Sequence, residues 1–173
     1  MKFYSGFSLQ REAHFFESFI HKSDYTVCGF SYGAIKAFHF VEERLALEKR
    51  VDRLQLFSPA FFQTKEEKFK RAQLMGYAKD KDLYLQKFLK TCFLPYPSKP
   101  LFFDESSAKE LHELLFFEWE LEKLQELLAK GVKLEVYLGG KDAIIDSRSA
   151  KAFFLQAATV TYIADANHFL QIN

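Results

Sequence analysis

Gly29-Phe30-Ser31-Tyr32-Gly33 sets a serine between two glycines in the spacing G-x-S-x-G. A serine hydroxyl attacks a carbonyl only when a base takes its proton, and the base needs an acid to orient it. Five histidines are available. His14, His39 and His112 fall inside stretches with helical periodicity, and His21 ends one. His168 differs, because it follows an extended run in Ala164-Asp165-Ala166-Asn167-His168. A loop leaving a strand there can carry the imidazole over Ser31. The acid expected is Asp142, which follows Lys133 to Leu138 through the tight turn Gly139-Gly140-Lys141. Asp146 is its nearest rival, but it precedes Ser147-Arg148-Ser149 and reads as a helix N-cap. Asp165, three residues before the histidine, is the weaker rival.

Five short extended runs must position these groups: Lys2 to Ser5, Tyr25 to Cys28, Arg53 to Phe57, Lys133 to Leu138 and Thr159 to Ala164. Each ends in loop residues, and helical stretches lie between them. This alternation predicts an α/β fold with a mainly parallel sheet. Ligands bind beyond the carboxyl ends of such strands, so the polar candidates gather at one sheet edge. Gln10 to Ile20 and Tyr32 to Leu47 are read as helices. The elbow Gly29 to Gly33 thus lies between a strand and an amphipathic helix, the context in which a serine is raised above the sheet. The order Ser31, Asp142, His168 is that of α/β-hydrolases. Two backbone N–H groups should hold the oxyanion: that of Tyr32, after the serine, and that of Phe7, in the loop after the first strand. Gly6 as a plain turn glycine is the alternative there.

No strand is evident between Ala60 and Gly131, so this segment is expected to be a helical insert forming a lid over Ser31, within a single domain of residues 1–173. Ser107-Ala108-Lys109-Glu110 fits a capping box. Leu114, Phe117, Leu121, Leu124 and Leu128 then continue one helical stripe, and Gly131 is a natural stop. The strands alternate in type: Gln55, Glu135 and Thr161 interrupt apolar neighbours. That face should lack a full helix layer, since right-handed crossovers between successive neighbours put their helices on one side. Homodimerisation would cover the rest.

Composition excludes several classes. Apolar residues make up 49% of 173, enough for a globular core. The net charge of +1 gives no pull toward nucleic acid or anionic membrane. No apolar run reaches the length of a membrane span, and Met1 to Gly6 lacks the zones of a signal peptide. Cys28 and Cys92 form neither a metal pattern nor a disulfide framework, so a reduced, cytoplasmic protein without cofactor or metal is expected. The 21 Phe residues suit broad apolar surfaces, in the core or along an acyl pocket.

Over nearly its full length the chain resembles the short, BioV-type pimeloyl-acyl carrier protein methyl ester esterases of biotin synthesis. The resemblance lies in the opening Phe3-Tyr4-Ser5-Gly6-Phe7, the elbow through Ala37, Leu56-Phe57-Ser58-Pro59, Phe69-Lys70-Arg71, Lys130 to Val136, Lys141-Asp142 and Asn167-His168. It implies a reduced α/β-hydrolase fold without metal or cofactor. The implied reaction releases methanol from a pimeloyl methyl ester carried on acyl carrier protein, with Ser31 as nucleophile. Relative to larger hydrolases, one strand–helix unit before the elbow and a last helix after His168 are expected to be missing. An acyl thioesterase or general short-chain esterase would use the same three residues. A carrier-binding module without catalysis is the rival from another class. Charge in the insert is split: residues 65–90 hold eight Lys or Arg against four Asp or Glu, a net +4, while residues 104–126 sum to −6. Lys68, Lys70 and Arg71 crowd the basic part and are the expected contacts for an acidic carrier, with the acidic part facing away.

Overall fold

In Thr26-Val27-Cys28-Gly29-Phe30 every residue is buried, which only a strand covered on both faces allows. In the computed structural model, which describes residues 1–173, this strand is β3. It lies between β1 (Lys2–Tyr4) and β4 (Arg53–Phe57), and β6 (Lys133–Gly139) and β7 (Thr159–Ile163) complete a five-stranded, wholly parallel sheet. The order β1-β3-β4-β6-β7 follows the chain. Strands β2 (Leu9–Gln10) and β5 (Phe102–Phe103) form a small antiparallel pair. The helices are α1 (Tyr32–Ala46), α2 (Glu67–Lys79), α3 (Lys81–Phe93), α4 (Ala108–Phe116), α5 (Leu121–Ala129) and α6 (Ser147–Phe154). None is long and apolar enough to cross a membrane. The α/β fold predicted from the alternating runs is the fold observed.

The parallel register sorts the side chains into two faces. Val27, Leu54, Leu56, Val136 and Leu138 point to one face, where Ile35, Phe38 and Val41 of α1, Leu124 and Leu127 of α5 and Phe154 of α6 join them in one core. Phe3, Cys28, Phe30, Gln55 and Phe57 point to the other. No full helix covers that side, as the alternation predicted. It is not bare, however. Residues 12–20 cross it as one 3₁₀ turn, Glu12–Phe16, followed by further turns. Phe16 stacks on Phe57 at 4.7 Å and packs tilted against Phe30 at 4.9 Å. Gln55, expected on the thinly covered face, is fully buried there: it accepts from His21 N–H (2.8 Å) and donates to the Phe19 carbonyl (3.0 Å). Thr159 and Thr161 of edge strand β7 remain exposed. Since β1→β3 crosses this face while α1 crosses the opposite one, and both connections step the same way across the sheet, they have opposite hands. Two neighbouring parallel connections of opposite hand depart from the general preference for a single, right-handed sense.

Three expected elements differ. Gln10 to Ile20 is not an α-helix: Arg11 sits at φ 64°, and the aromatic side chains make a shallow layer on the sheet that a wider α-helix would not. The stripe from Leu114 to Leu128 is broken between α4 and α5, where Phe117 and Glu120 are extended. Trp119 explains the break. Its indole N–H donates to the Ala60 carbonyl (2.8 Å) and its backbone N–H to Gln63 (2.9 Å), so tertiary anchoring outweighs the local period. The short strand β5 carries too few residues for alternation to show. The segment 60–131 also divides: α5 packs under β6 as an ordinary sheet helix, while α2, α3 and α4 pack together at the other end of the segment.

Candidate active site

Ser31 stands between β3 and α1 with φ 53° and ψ −116°. Such a conformation costs on the order of 1–3 kcal/mol. The neighbouring glycines make it possible: a Cβ on Gly33 would collide with the Tyr4 carbonyl, and one on Gly29 with the Gly33 carbonyl. The elbow is tied to β4 from both sides, because Ser31 N–H donates to Phe57 O (2.9 Å) and Ala60 N–H to Ser31 O (3.1 Å).

His168 Nε2 lies 3.0 Å from Ser31 Oγ, and its Nδ1 lies 2.6 Å from Asp142 Oδ2. The three expected residues thus form one hydrogen-bonded chain, and the side chains of His168 and Asp142 are wholly withdrawn from solvent. With Nδ1–H donating to the carboxylate, Nε2 is free to accept the serine proton. Asp142 Oδ1 is held by the N–H groups of Ile144 (2.8 Å) and Ile145 (3.1 Å), which fixes the carboxylate plane. Asp146, the rival acid, instead accepts from Ser149 N–H (3.1 Å) and Ser149 Oγ (2.6 Å) and caps α6. Those bonds hold its carboxyl below the usual range. Asp165 pairs with Lys141 at 2.9 Å.

Sequence reasoning missed Asn167 as a support. Its Oδ1 accepts from the N–H groups of Phe169 and Gln171 (3.0 Å each), and its Nδ2 donates to Phe93 O (2.9 Å), which ties the histidine loop to α3. Nothing in the sequence marks it beyond its place before His168. Glu12 was missed too, as an ordinary charged residue in a helical reading; it is 1% exposed.

Tyr32 N–H is the first of α1 and has no partner within the helix. Phe7 N–H makes no hydrogen bond within the chain. The two residues are neighbours, with rings packed edge to face at 6.4 Å. Two N–H groups without acceptors, one at the N-terminus of a 15-residue helix, suit a developing anion.

Helices α2, α3 and α4 meet this edge directly. Phe7 packs against Tyr77 of α2 (6.0 Å) and Phe88 of α3 (6.1 Å). Tyr32 donates its hydroxyl to Glu113 of α4 (2.5 Å), and Lys36 of α1 pairs with Glu110 (3.1 Å). Burial, with Glu113 beside it, pushes the Tyr32 phenol upward and keeps it a donor. Two of the eight acidic residues in the acidic part of the insert, Glu110 and Glu113, are thus engaged by α1, while the other six are exposed. Between α2, α3, α4 and the loop after Asp142 lies an apolar cleft of about 310 Å³, lined by Phe62, Tyr84, Phe88, Leu111, Leu115 and Ile144 among others. Of the three expected carrier contacts, Lys68 and Arg71 are exposed but Lys70 is not. Lys70 is buried with its ammonium 5.1 Å over the Phe116 ring, because its position in α2 faces α4. It is corrected from a docking residue to a packing one. Arg71 is paired with Glu67 (2.6 Å).

No group of His, Cys, Asp and Glu side chains has the arrangement of a metal site.

No family model and no curated protein matches the chain. Solved structures do. A hydrolase from Oleispira antarctica superposes with a TM-score of 0.63 at 11% identity, over 85% of this chain and 59% of that one. Carboxylesterase CesB from Bacillus subtilis gives 0.55 at 16% identity, over 95% and 62%. BioG from Haemophilus influenzae gives 0.54 at 11% identity, over 97% and 87%. The chain thus spans less than two thirds of the length of the first two. At such identities the likeness is one of fold, and the fold is that of the α/β-hydrolases.

Proposed function

We propose that the chain is a serine esterase in which Ser31 is the nucleophile, His168 the base and Asp142 the acid that orients it. The observation that carries this reading is the unbroken chain Asp142 Oδ2–His168 Nδ1 at 2.6 Å and His168 Nε2–Ser31 Oγ at 3.0 Å, on a strained elbow at a helix N-terminus. Ser31 Oγ adds to the ester carbonyl carbon as its proton passes to His168 Nε2. The carbonyl oxygen becomes an oxyanion facing the Phe7 and Tyr32 N–H groups. Collapse of this intermediate expels the alcohol, which takes the proton from His168. Water, deprotonated by His168, then cleaves the acyl-serine and frees the acid.

The substrate favoured is the methyl ester of a pimeloyl chain on acyl carrier protein. The resemblance to the BioV-type esterases supports it, as does the fold likeness to BioG across 87% of that chain. The apolar cleft beside Asp142 suits a thin acyl chain. The deciding measurement is methanol release from that carrier-linked ester against thiol release from pimeloyl-carrier protein itself. Methanol release is expected to dominate; the opposite outcome makes the chain a thioesterase. An acidic carrier would meet α2, and exposed charges mainly speed encounter. Reversing Lys68 and Arg71 together to Glu should lower kcat/KM for the carrier-linked ester roughly tenfold at low salt. It should leave p-nitrophenyl acetate turnover unchanged, and the difference should shrink as salt rises. Equal losses on both substrates would remove α2 as the docking surface.

A further inference from the structure

Glu12 is 1% exposed, yet it belongs to no part of the Ser31–His168–Asp142 chain. Its Oε1 accepts the Gly6 N–H at 2.6 Å, and its Oε2 has no partner. Burial pushes the carboxyl above the usual range, with the Gly6 bond pulling the other way. A buried carboxylate with one oxygen unmatched works against stability. What it secures is the direction of one short piece of backbone. Gly6 N–H is held by Glu12, and Gly6 O accepts from Leu9 N–H (3.2 Å). Across a trans peptide the carbonyl of one residue and the N–H of the next point in opposite directions. Fixing the Gly6 carbonyl therefore fixes the Phe7 N–H, the amide left without an acceptor.

We propose that Glu12 is a positioning residue for the esterase: by gripping Gly6 N–H it aims the Phe7 N–H at the oxyanion. This inference rests on the ester-hydrolysis reading above. Glu12 touches no reacting atom: it holds the Ser5–Gly6 peptide plane, and with the Gly6 carbonyl tied to Leu9 N–H on the other side of the Gly6 Cα the Gly6–Phe7 plane that carries the Phe7 N–H is fixed from both ends. Its benefit should therefore appear only when the oxyanion forms, in kcat and not in KM.

The test compares Glu12→Ala, Glu12→Gln and Ser31→Ala with wild type on p-nitrophenyl acetate, with folding checked by circular dichroism and thermal melting. Glu12→Ala should lower kcat on the order of 10- to 100-fold, a fraction of what losing an oxyanion donor outright costs, with KM within about twofold. Glu12→Gln keeps an acceptor oxygen for Gly6 N–H and should restore kcat to within a few-fold of wild type. If Glu12→Ala does not fold, Glu12→Met, close in size but without an oxygen, takes its place in the comparison with Glu12→Gln. Unchanged kcat in the folded Ala or Met variant overturns the positioning role. So does equal loss in the Gln variant, or a loss confined to KM. Turnover by Ser31→Ala at the wild-type rate would instead overturn the esterase reading itself.

Discussion

Alanine at Ser31 or at His168 is expected to lower kcat for ester hydrolysis on the order of 10⁴- to 10⁶-fold, because the groups act as one unit and either loss disables the attack. A loss of 10⁴ corresponds to about 5.5 kcal/mol of transition-state stabilisation. The two variants should differ in stability. Ser31→Ala keeps the strained elbow and removes one hydroxyl, so it should melt close to wild type. His168→Ala leaves a cavity and takes the partner from a buried carboxylate, which commonly costs about 3–5 kcal/mol. Steady-state rates on a p-nitrophenyl ester, together with urea denaturation, measure both effects. Near-wild-type turnover in either folded variant would remove the proposed mechanism.

The second large effect separates the two candidate acids. In Asp142→Asn the amide oxygen should stay where Oδ1 is, since Ile144 and Ile145 donate to it at 2.8 and 3.1 Å. The amide nitrogen then replaces Oδ2 and presents hydrogens to His168 Nδ1. The imidazole must accept at Nδ1 and carry its proton on Nε2, the tautomer that cannot take the serine proton. A loss of about 10⁴ in kcat is expected from this change of tautomer alone. Asp146→Asn should leave kcat unchanged and cost under about 1 kcal/mol, because Asn is a good N-cap for α6. The opposite pattern of rates would transfer the acid's role to Asp146.

Much of this site was legible in the residues because its parts announce themselves locally. G-x-S-x-G needs no distant partner to be seen, and its glycines are demanded by the backbone contacts of a sharp turn. His168 and Asp142 could be chosen because both follow strand-like runs, and strand ends share an edge. What the sequence hid was decided by tertiary contact. Glu12 looks like any helical surface charge until its carboxylate is seen beneath the Gly6 amide. Lys70 belongs by charge to a basic cluster, but helical phase turns it under Phe116 while Lys68 and Arg71 stay outside. Trp119 breaks a stripe of leucines and phenylalanine because Ala60 and Gln63, far away in the chain, offer it hydrogen bonds. The passage from β1 to β3 over the face opposite α1 was hidden for the same reason. The general rule puts successive connections on one face, and only the aromatic layer of Phe16 on Phe30 and Phe57 shows why this one takes the other side.

The strand order has a kinetic meaning. Each strand pairs with its predecessor in the main sheet, so most pairings close short loops. The exception is β4 to β6, whose connection of about 75 residues contains α2 to α5. Closing it costs about 1 kcal/mol more in chain entropy than a connection of some 20 residues. The sheet therefore assembles most cheaply as two pieces, β1-β3-β4 and β6-β7, which dock last across that seam. Ser31 is carried by the first piece, Asp142 and His168 by the second. During refolding, hydrolysis should return only with the docking step, after much of the helical signal has recovered, and its time course would report when the two halves of the chain have met.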